Sequence, residues 1–311
     1  MQVHLLRKNL AQHGGGDYVR TMRILHLSDT HLDEAGAPDA DGADGTAALR
    51  FLLDELQYLD DLDAVVITGD VADDGSRVAY TRARELVSAY AGRRGAEVFY
   101  TTGNHDDRRA FREVLGSGHR QPEAVYEGVA GERAAVSTVG GWRLITLDTL
   151  VPGKGYGRLD SGQLGWLREL LADPAPSGTV LAFHHPPVAL DVEVQQALGL
   201  ENSAELAETI RGTDVRIILC GHFHLQILAR LEQATVWVTP GVVSRIDLTA
   251  RPGTERAVHG PSASLVRLGT PYGPLIHTLH ARDPRMGETV YEADEAEMHD
   301  VIRRLGPAQR A

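Results

Sequence analysis

Two hydrophobic rhythms alternate along the chain. Short apolar, β-prone runs are each followed by a polar turn and then by a longer segment whose apolar residues recur every third or fourth position. Residues 23–27 (Arg-Ile-Leu-His-Leu) predict an opening strand, and 45–59 predict a helix because Leu49, Leu52, Leu53, Leu56 and Leu59 share one face. Residues 64–68 and 98–101 read as buried strands on either side of a helix over 77–91, whose inner face would carry Ala79, Ala83, Leu86, Val87 and Tyr90. This β-α-β-α-β succession argues for an α/β domain with parallel strands and right-handed crossovers.

The second half adds predicted strands at 142–147, 180–183, 215–219 and 236–239, and helices at 161–171 and 203–211, the first of them capped by Ser161. From Ser262 the period shortens to two. Residues 265–268 and 275–279 then predict antiparallel strands at a sheet edge, ahead of a terminal helix over 292–305. The Pro/Gly-rich stretches 151–157 and 251–261 are too short to divide domains. The expected organisation is a flexible lead (1–21), a main domain (22–285) and an extension carrying the terminal helix (286–311).

Composition narrows the class. With 311 residues the chain can bury a large core without disulfides, and its single cysteine, Cys220, excludes an intramolecular one. No apolar run approaches the roughly 20 residues of a membrane helix, and 1–21 lacks the apolar core of a secretory signal, so the expected setting is the cytoplasm. A net charge of −12 disfavours non-specific nucleic-acid binding, which needs Lys and Arg against backbone phosphates. The expected partner is a small phosphoester rather than nucleic acid or membrane.

The candidate chemistry lies where the strands should end. Asp29-Thr-His31, Gly69-Asp70, Gly103-Asn104-His105-Asp106, His184-His185-Pro186 and Gly221-His222-Phe223-His224 each follow an apolar run, which predicts one shared site at the rim of a sheet. The donors are carboxylate, amide and imidazole without thiolate, which suits two divalent ions such as manganese, iron or zinc. A carboxylate can bridge two ions, and Asp70 beside Gly69 is the natural candidate. Asp29/His31 and His222/His224 repeat one i, i+2 spacing, and Asn104 offers a neutral oxygen beside His105, which is then placed to act on substrate.

In order and in full, these segments resemble the D-x-H, G-D, G-N-H-[DE], H-x-P and G-H-x-H pattern of the calcineurin-like metallophosphoesterases, over about residues 23–239. Within that superfamily the chain is most similar to the class III cyclic nucleotide phosphodiesterases, including the mycobacterial type. The resemblance implies a four-layer αββα sandwich of two mixed β-sheets flanked by helices. It implies one ion held by Asp29, His31, Asp70 and His224, and a second by Asp70, Asn104, His184 and His222. His105 would stabilise the transition state or protonate the leaving alkoxide. The implied reaction is in-line attack of a metal-bridging hydroxide on a phosphodiester, with a 3′,5′-cyclic nucleotide such as cAMP as substrate; the resemblance is also compatible with a homodimer. A phosphomonoesterase or glycerophosphodiester-type hydrolase using the same site, and more remotely a non-catalytic scaffold, are the alternatives.

Other residues have ordinary readings. His26 is expected to be a hydrogen-bonded core histidine, Asp148 and Thr149 hydrogen-bonding supports, Cys220 a small packed side chain, and Arg108 and Arg109 a solvated charged turn. Of the pair His184/His185 the first is the expected ligand. The chain departs from the family around 151–157, with Lys154 and Tyr156, and over 241–261, with Arg245, Arg251 and Arg256; loops of this kind line substrate pockets.

Overall fold

Strand residues of opposite parity face different layers, and that alternation organises the whole domain. The computed structural model describes residues 20–39 and 41–308. Along the chain come β1 (Met22–Leu27), α1 (Gly45–Glu55), β2 (Ala64–Thr68), α2 (Arg77–Gly92), β3 (Glu97–Thr101) and α3 (Arg108–Leu115). There follow β4 (Ala124–Glu127), β5 (Arg133–Val139), β6 (Trp142–Thr146), α4 (Ser161–Leu171), β7 (Gly178–Ala182), α5 (Glu193–Leu198), α6 (Ser203–Ile210), β8 (Val215–Cys220), β9 (Ile227–Leu231) and β10 (Ala234–Val238). The chain closes with β11 (Arg245–Ile246), β12 (Thr254–Val258), β13 (Ser262–Leu268), β14 (Leu275–His280), β15 (Thr289–Asp294) and α7 (Glu295–Leu305).

A five-stranded sheet runs β14-β13-β1-β2-β3 and a seven-stranded sheet runs β4-β5-β6-β7-β8-β10-β9, both mixed. β1, β2 and β3 pair in parallel in the first, as do β6, β7, β8 and β10 in the second. Leu25, Leu27, Val65 and Ile67 turn to Leu49 and Leu52 of α1 and Ala83 and Val87 of α2. Ile24, Ala64, Val66 and Phe99 turn the other way and meet Leu144, Val180, Ile217 and Leu219 of the second sheet. On that sheet's far side Ile145, Leu181 and Ile218 cover Leu167 of α4 and Leu206 and Ile210 of α6. The result is the expected helix–sheet–sheet–helix layering, joined by apolar burial worth roughly 1.5–3 kcal/mol per large side chain. His26 shares Ile24's parity, is fully buried, and meets Thr68 Oγ1 through Nε2 at 2.8 Å.

Several expectations shift. The helical period over 45–59 stops at Glu55 because Arg94 binds the trailing carbonyls: its guanidinium donates to Leu56 O (3.2 Å), Gln57 O (2.7 Å) and Leu59 O (2.6 Å). The cap of α4 is Asp160 rather than Ser161, since Asp160 Oδ1 accepts from Gly162 N and Gln163 N. β13 lies inside its sheet between β14 and β1, so of these two strands β14 alone is at an edge. A third sheet, β11-β12-β15, went unpredicted, as did the β4–β5 hairpin. Residues 289–294 form strand β15 ahead of α7, and β15 pairs antiparallel with β12. Apart from Arg20 and Thr21, the predicted lead lies outside the described residues.

His119, buried between the sheets, contacts Ser137 Oγ and Thr146 Oγ1 at 2.8 Å each, and burial pushes its pKa down to about 3. The fold therefore accepts the neutral ring. Its contribution to stability is complete above about pH 6.5 and is lost as pH falls from there toward 3, by up to about 1.4 kcal/mol per pH unit. Urea denaturation of His119→Gln against the parent protein at several pH values should show a flatter acid limb for the variant; parallel curves would contradict this reading.

Candidate metal centre

Each predicted donor sits just past the C-terminal end of a parallel strand: Asp29 and His31 after β1, Asp70 after β2, Asn104 and His105 after β3, His184 after β7, His222 and His224 after β8. The first five belong to the five-stranded sheet and the last three to its partner. The stacking of the two sheets brings the two sets to one rim, so Asp70 Oδ2 lies 3.6 Å from His31 Nε2 and 3.2 Å from His184 Nε2.

The backbone there departs from regular structure. Asp29, His31, Asp70, His222 and His224 all have positive φ, between 43° and 73°; among the described non-glycine residues only Asp61 and Glu232 share this. A left-handed residue that is not glycine costs on the order of 1–3 kcal/mol, so the neighbourhood must hold it in place. Backbone hydrogen bonds do so: His31 N to Asp70 O (2.9 Å), Asp29 N to Gly69 O (3.2 Å) and Gly221 N to His184 O (3.1 Å). The side chains join in, with His222 N donating to both oxygens of Asp29 and His105 N to Asp70 Oδ1 at 2.9 Å. Gly69 (φ +83°) and Gly103 permit the close approach, because a Cβ would fall 2.6 Å from His184 Nδ1 and 2.3 Å from Asp70 Oδ1 respectively.

Among the described residues, donor atoms within 4.8 Å of one another form four overlapping groups: Asp29, His31 and His224; Asp29, Asp70 and His184; His184, His185 and His222; His31, Asp70 and His105. Whether a cation suits them is decided by the imidazoles. The Nδ1 atoms are already engaged, that of His184 with Thr68 O at 2.7 Å, that of His31 with Asp73 Oδ1 at 2.9 Å and that of His224 with Ser244 O at 3.1 Å. A neutral His184 donating from Nδ1 turns its Nε2 lone pair toward Asn104 Oδ1 (3.2 Å), Asp70 Oδ2 (3.2 Å) and, farther off, Asp29 Oδ1 (3.9 Å). Lone pair against oxygen is repulsive unless a positive charge sits between them, a proton on the ring or a divalent cation in its place. His31 Nε2 and His222 Nε2 are also buried without hydrogen-bond partners. The residues present therefore fit divalent cations, and the oxygen and nitrogen donor set suits first-row metals.

The titration shifts express the same crowding. Burial opposes ionisation of Asp29 and Asp70, yet the surrounding imidazoles, His224 for the first and His184 for the second, hold both below the usual carboxylate range. Burial likewise disfavours charge on His184 and His105, but Asp70 outweighs it and raises them to about 9 and about 10. His222, buried and beside His184, is pushed down to about 3.

Three supports were not anticipated. Asp73, three residues after Asp70, touches His31 Nδ1 and His105 Nδ1 at 2.9 and 3.0 Å and so orients both rings. Asp106, the final residue of the Gly-Asn-His-Asp segment, is buried and accepts from Val71 N, Ala72 N, Gly103 N and Tyr80 Oη, tying the loop of Asp70 to the loop of His105. Burial and the Asp70 charge raise it to about 7 against those donors. Ser244 anchors His224 from a segment with no motif at all.

The neighbours divide. His185 packs against His222 with ring centroids 4.6 Å apart and meets Thr149 Oγ1 through Nδ1 at 2.8 Å, as a support would. Arg108 is not solvated: it forms a two-pronged pair with buried Asp148 at 2.8 and 3.0 Å, linking α3 to the end of β6, whereas Arg109 is exposed beside Glu113. Lys154 donates to Arg304 O at the end of α7, so its charge is spent on a helix terminus. Cys220 is buried, which pushes its thiol up.

The sequence profile of the calcineurin-like phosphoesterases matches residues 22–226, a span that contains β1 through β8 and all eight donor or catalytic candidates. The chain belongs to this family. It is accordingly a metal-dependent phosphoesterase. Among curated relatives, the cAMP/cGMP dual specificity phosphodiesterase of Mycobacterium tuberculosis is 40% identical over 263 residues, covering 83% of this chain and 77% of the relative. A probable cyclic nucleotide phosphodiesterase of Rhodococcus erythropolis is 37% identical over 293 residues, covering 92% and 90%. Among solved structures, a dimetal phosphatase from Danio rerio shares the fold, with a TM-score of 0.55 at 15% identity over 84% of this chain and 99% of the other. No described helix is long and apolar enough to cross a membrane.

Removing Asp106 strands four buried donors in this phosphoesterase. Asp106→Ala should lower stability by about 3 kcal/mol or more, and Asp106→Asn, which keeps one acceptor oxygen, by roughly half of that. Urea denaturation of the metal-free protein measures both, and a loss under 1 kcal/mol for the alanine variant would show that the two loops hold each other without it.

Proposed function

We propose that the protein is a two-metal phosphodiesterase whose substrate is a 3′,5′-cyclic nucleotide. The observation that carries this reading is the Asp70 carboxylate standing between imidazoles from both sheets, with Asp29 and His224 3.4 Å apart on one side and Asn104 and His184 3.2 Å apart on the other. Asp29, His31, Asp70 and His224 would hold one ion; Asp70, Asn104, His184 and His222 would hold the other. When bound, a divalent pair shields phosphoryl charge and lowers the pKa of a water molecule from about 15.7 to about 7.

The chain's own groups supply the rest. His105 is exposed at the mouth, and Asp73 occupies its Nδ1, leaving Nε2 as the nitrogen available to a substrate oxygen. The carboxylates around it favour the imidazolium, which suits a group that stabilises a phosphoryl oxygen or protonates a leaving alkoxide. Likeness to relatives named as cyclic nucleotide phosphodiesterases supports the substrate class.

Manganese-loaded protein assayed on 3′,5′-cyclic AMP, bis(p-nitrophenyl) phosphate and p-nitrophenyl phosphate should favour the diesters; a clear preference for the monoester overturns the assignment. Asp70→Ala should lose turnover and metal together. His105→Ala should lower kcat by about 10²–10⁴-fold with the metal content unchanged, and elemental analysis of both variants tests this division of roles.

A further inference from the structure

A cavity of about 370 Å³ lies against His224, within the size range of about 300–1,000 Å³ usual for small-molecule sites. Leu225, Ile246, Leu248 and Val258 give it apolar walls, and Gln226 and Arg245 are among its polar groups. The chain path fixes its place beside the metal centre. Ser244 holds the His224 ring, Ile246 N donates to His224 O at 3.1 Å, and the β11–β12 pairing of Arg245 with Val258 folds the second strand over the same space.

Two wall residues have needs that the protein itself leaves unmet. Leu248 is 73% exposed, in a turn organised by Asp247 Oδ1, which accepts from Thr249 N and Thr249 Oγ1. Arg245 lies against Gly260, where a Cβ would come 2.7 Å from its Nε; that Nε is buried without a hydrogen-bond partner, and the guanidinium forms no salt bridge among the described residues. Asp247, its neighbour, is by contrast taken up by Arg256 at 2.5 Å. An apolar face, an uncompensated guanidinium and an amide beside a phosphate-processing centre match a ligand with a flat apolar body and polar edges, joined to a phosphate.

We propose that this cavity receives the nucleoside part of the substrate, with Ile246 and Leu248 against the base and Arg245 and Gln226 reading acceptors on its edge or on the sugar. The proposal rests on the phosphodiesterase reading above and adds the specificity determinants. Arg245, Ile246 and Leu248 lie on one short segment, β11 and the turn that follows it, so a single loop carries most of these contacts.

Leu248→Glu and Arg245→Met, both manganese-loaded, test it with two readouts. The ratio of kcat/KM for 3′,5′-cyclic AMP to that for ethyl p-nitrophenyl phosphate, which has no nucleoside, should fall about tenfold or more in each variant, chiefly through KM. Calorimetric Kd for 5′-AMP should rise about tenfold. An unchanged ratio with unchanged 5′-AMP affinity overturns the proposal, and so does an equal loss on both esters with reduced metal content, which would mean that only His224 had been disturbed. If the parent protein does not turn over cyclic AMP, the substrate assignment fails separately. The cavity then stands on 5′-AMP binding that both variants weaken, and falls if 5′-AMP does not bind.

Discussion

One contact across the sheet interface governs this molecule: the Asp70 carboxylate, delivered by β2, meets the His184 imidazole, delivered by β7, at 3.2 Å. Neither sheet contains a complete donor set. The apolar layer between them, built from residues such as Val66, Phe99, Val180 and Leu219, is therefore as much a part of the metal centre as the donors are. It sets the relative height of the two strand ends, and a change of one side chain's thickness there would separate the Asp70 and His184 side chains.

Holding the donors is costly, and the surroundings show how the cost is met. Five left-handed non-glycine residues and a cluster of buried imidazoles facing carboxylates would not persist in an isolated loop. Asp106 gathers three donors from two loops and a fourth from Tyr80 of α2, Asp73 clamps two imidazoles, and Thr68 O and Ser244 fix ring nitrogens. They convert a strained rim into one with a single arrangement, which is what a site needs if its donors are to be in place before an ion arrives.

Chemistry and selectivity occupy different parts of the fold. The donors come from strand ends inside the two large sheets, whereas the cavity beside His224 is walled by the short β11–β12 hairpin and its loops. The C-terminal helix braces the opposite loop: Gly155 N and Lys154 Nζ donate to Leu305 O and Arg304 O at the end of α7. A loop built on a rigid rim can change its substrate without touching the reaction.

Much of this was legible in the residues. The strand–helix alternation and the position of each candidate donor at a strand end follow from period and spacing, because local backbone preference and side-chain parity act over a few residues. What needed the tertiary structure acts over many. The helix over 45–59 ends early because Arg94, far along the chain, takes its carbonyls; Arg108 is drawn inward because Asp148 waits at the end of β6; Asp106 matters because it faces two loops at once. The third sheet leaves no clear period in the sequence because β11, β12 and β15 are short and half polar, and pair with one another. The sequence by itself determined which chemical groups stand at the strand ends; only the packing of one sheet on the other decided that they converge, since convergence depends on interlayer distance, a quantity no local pattern encodes.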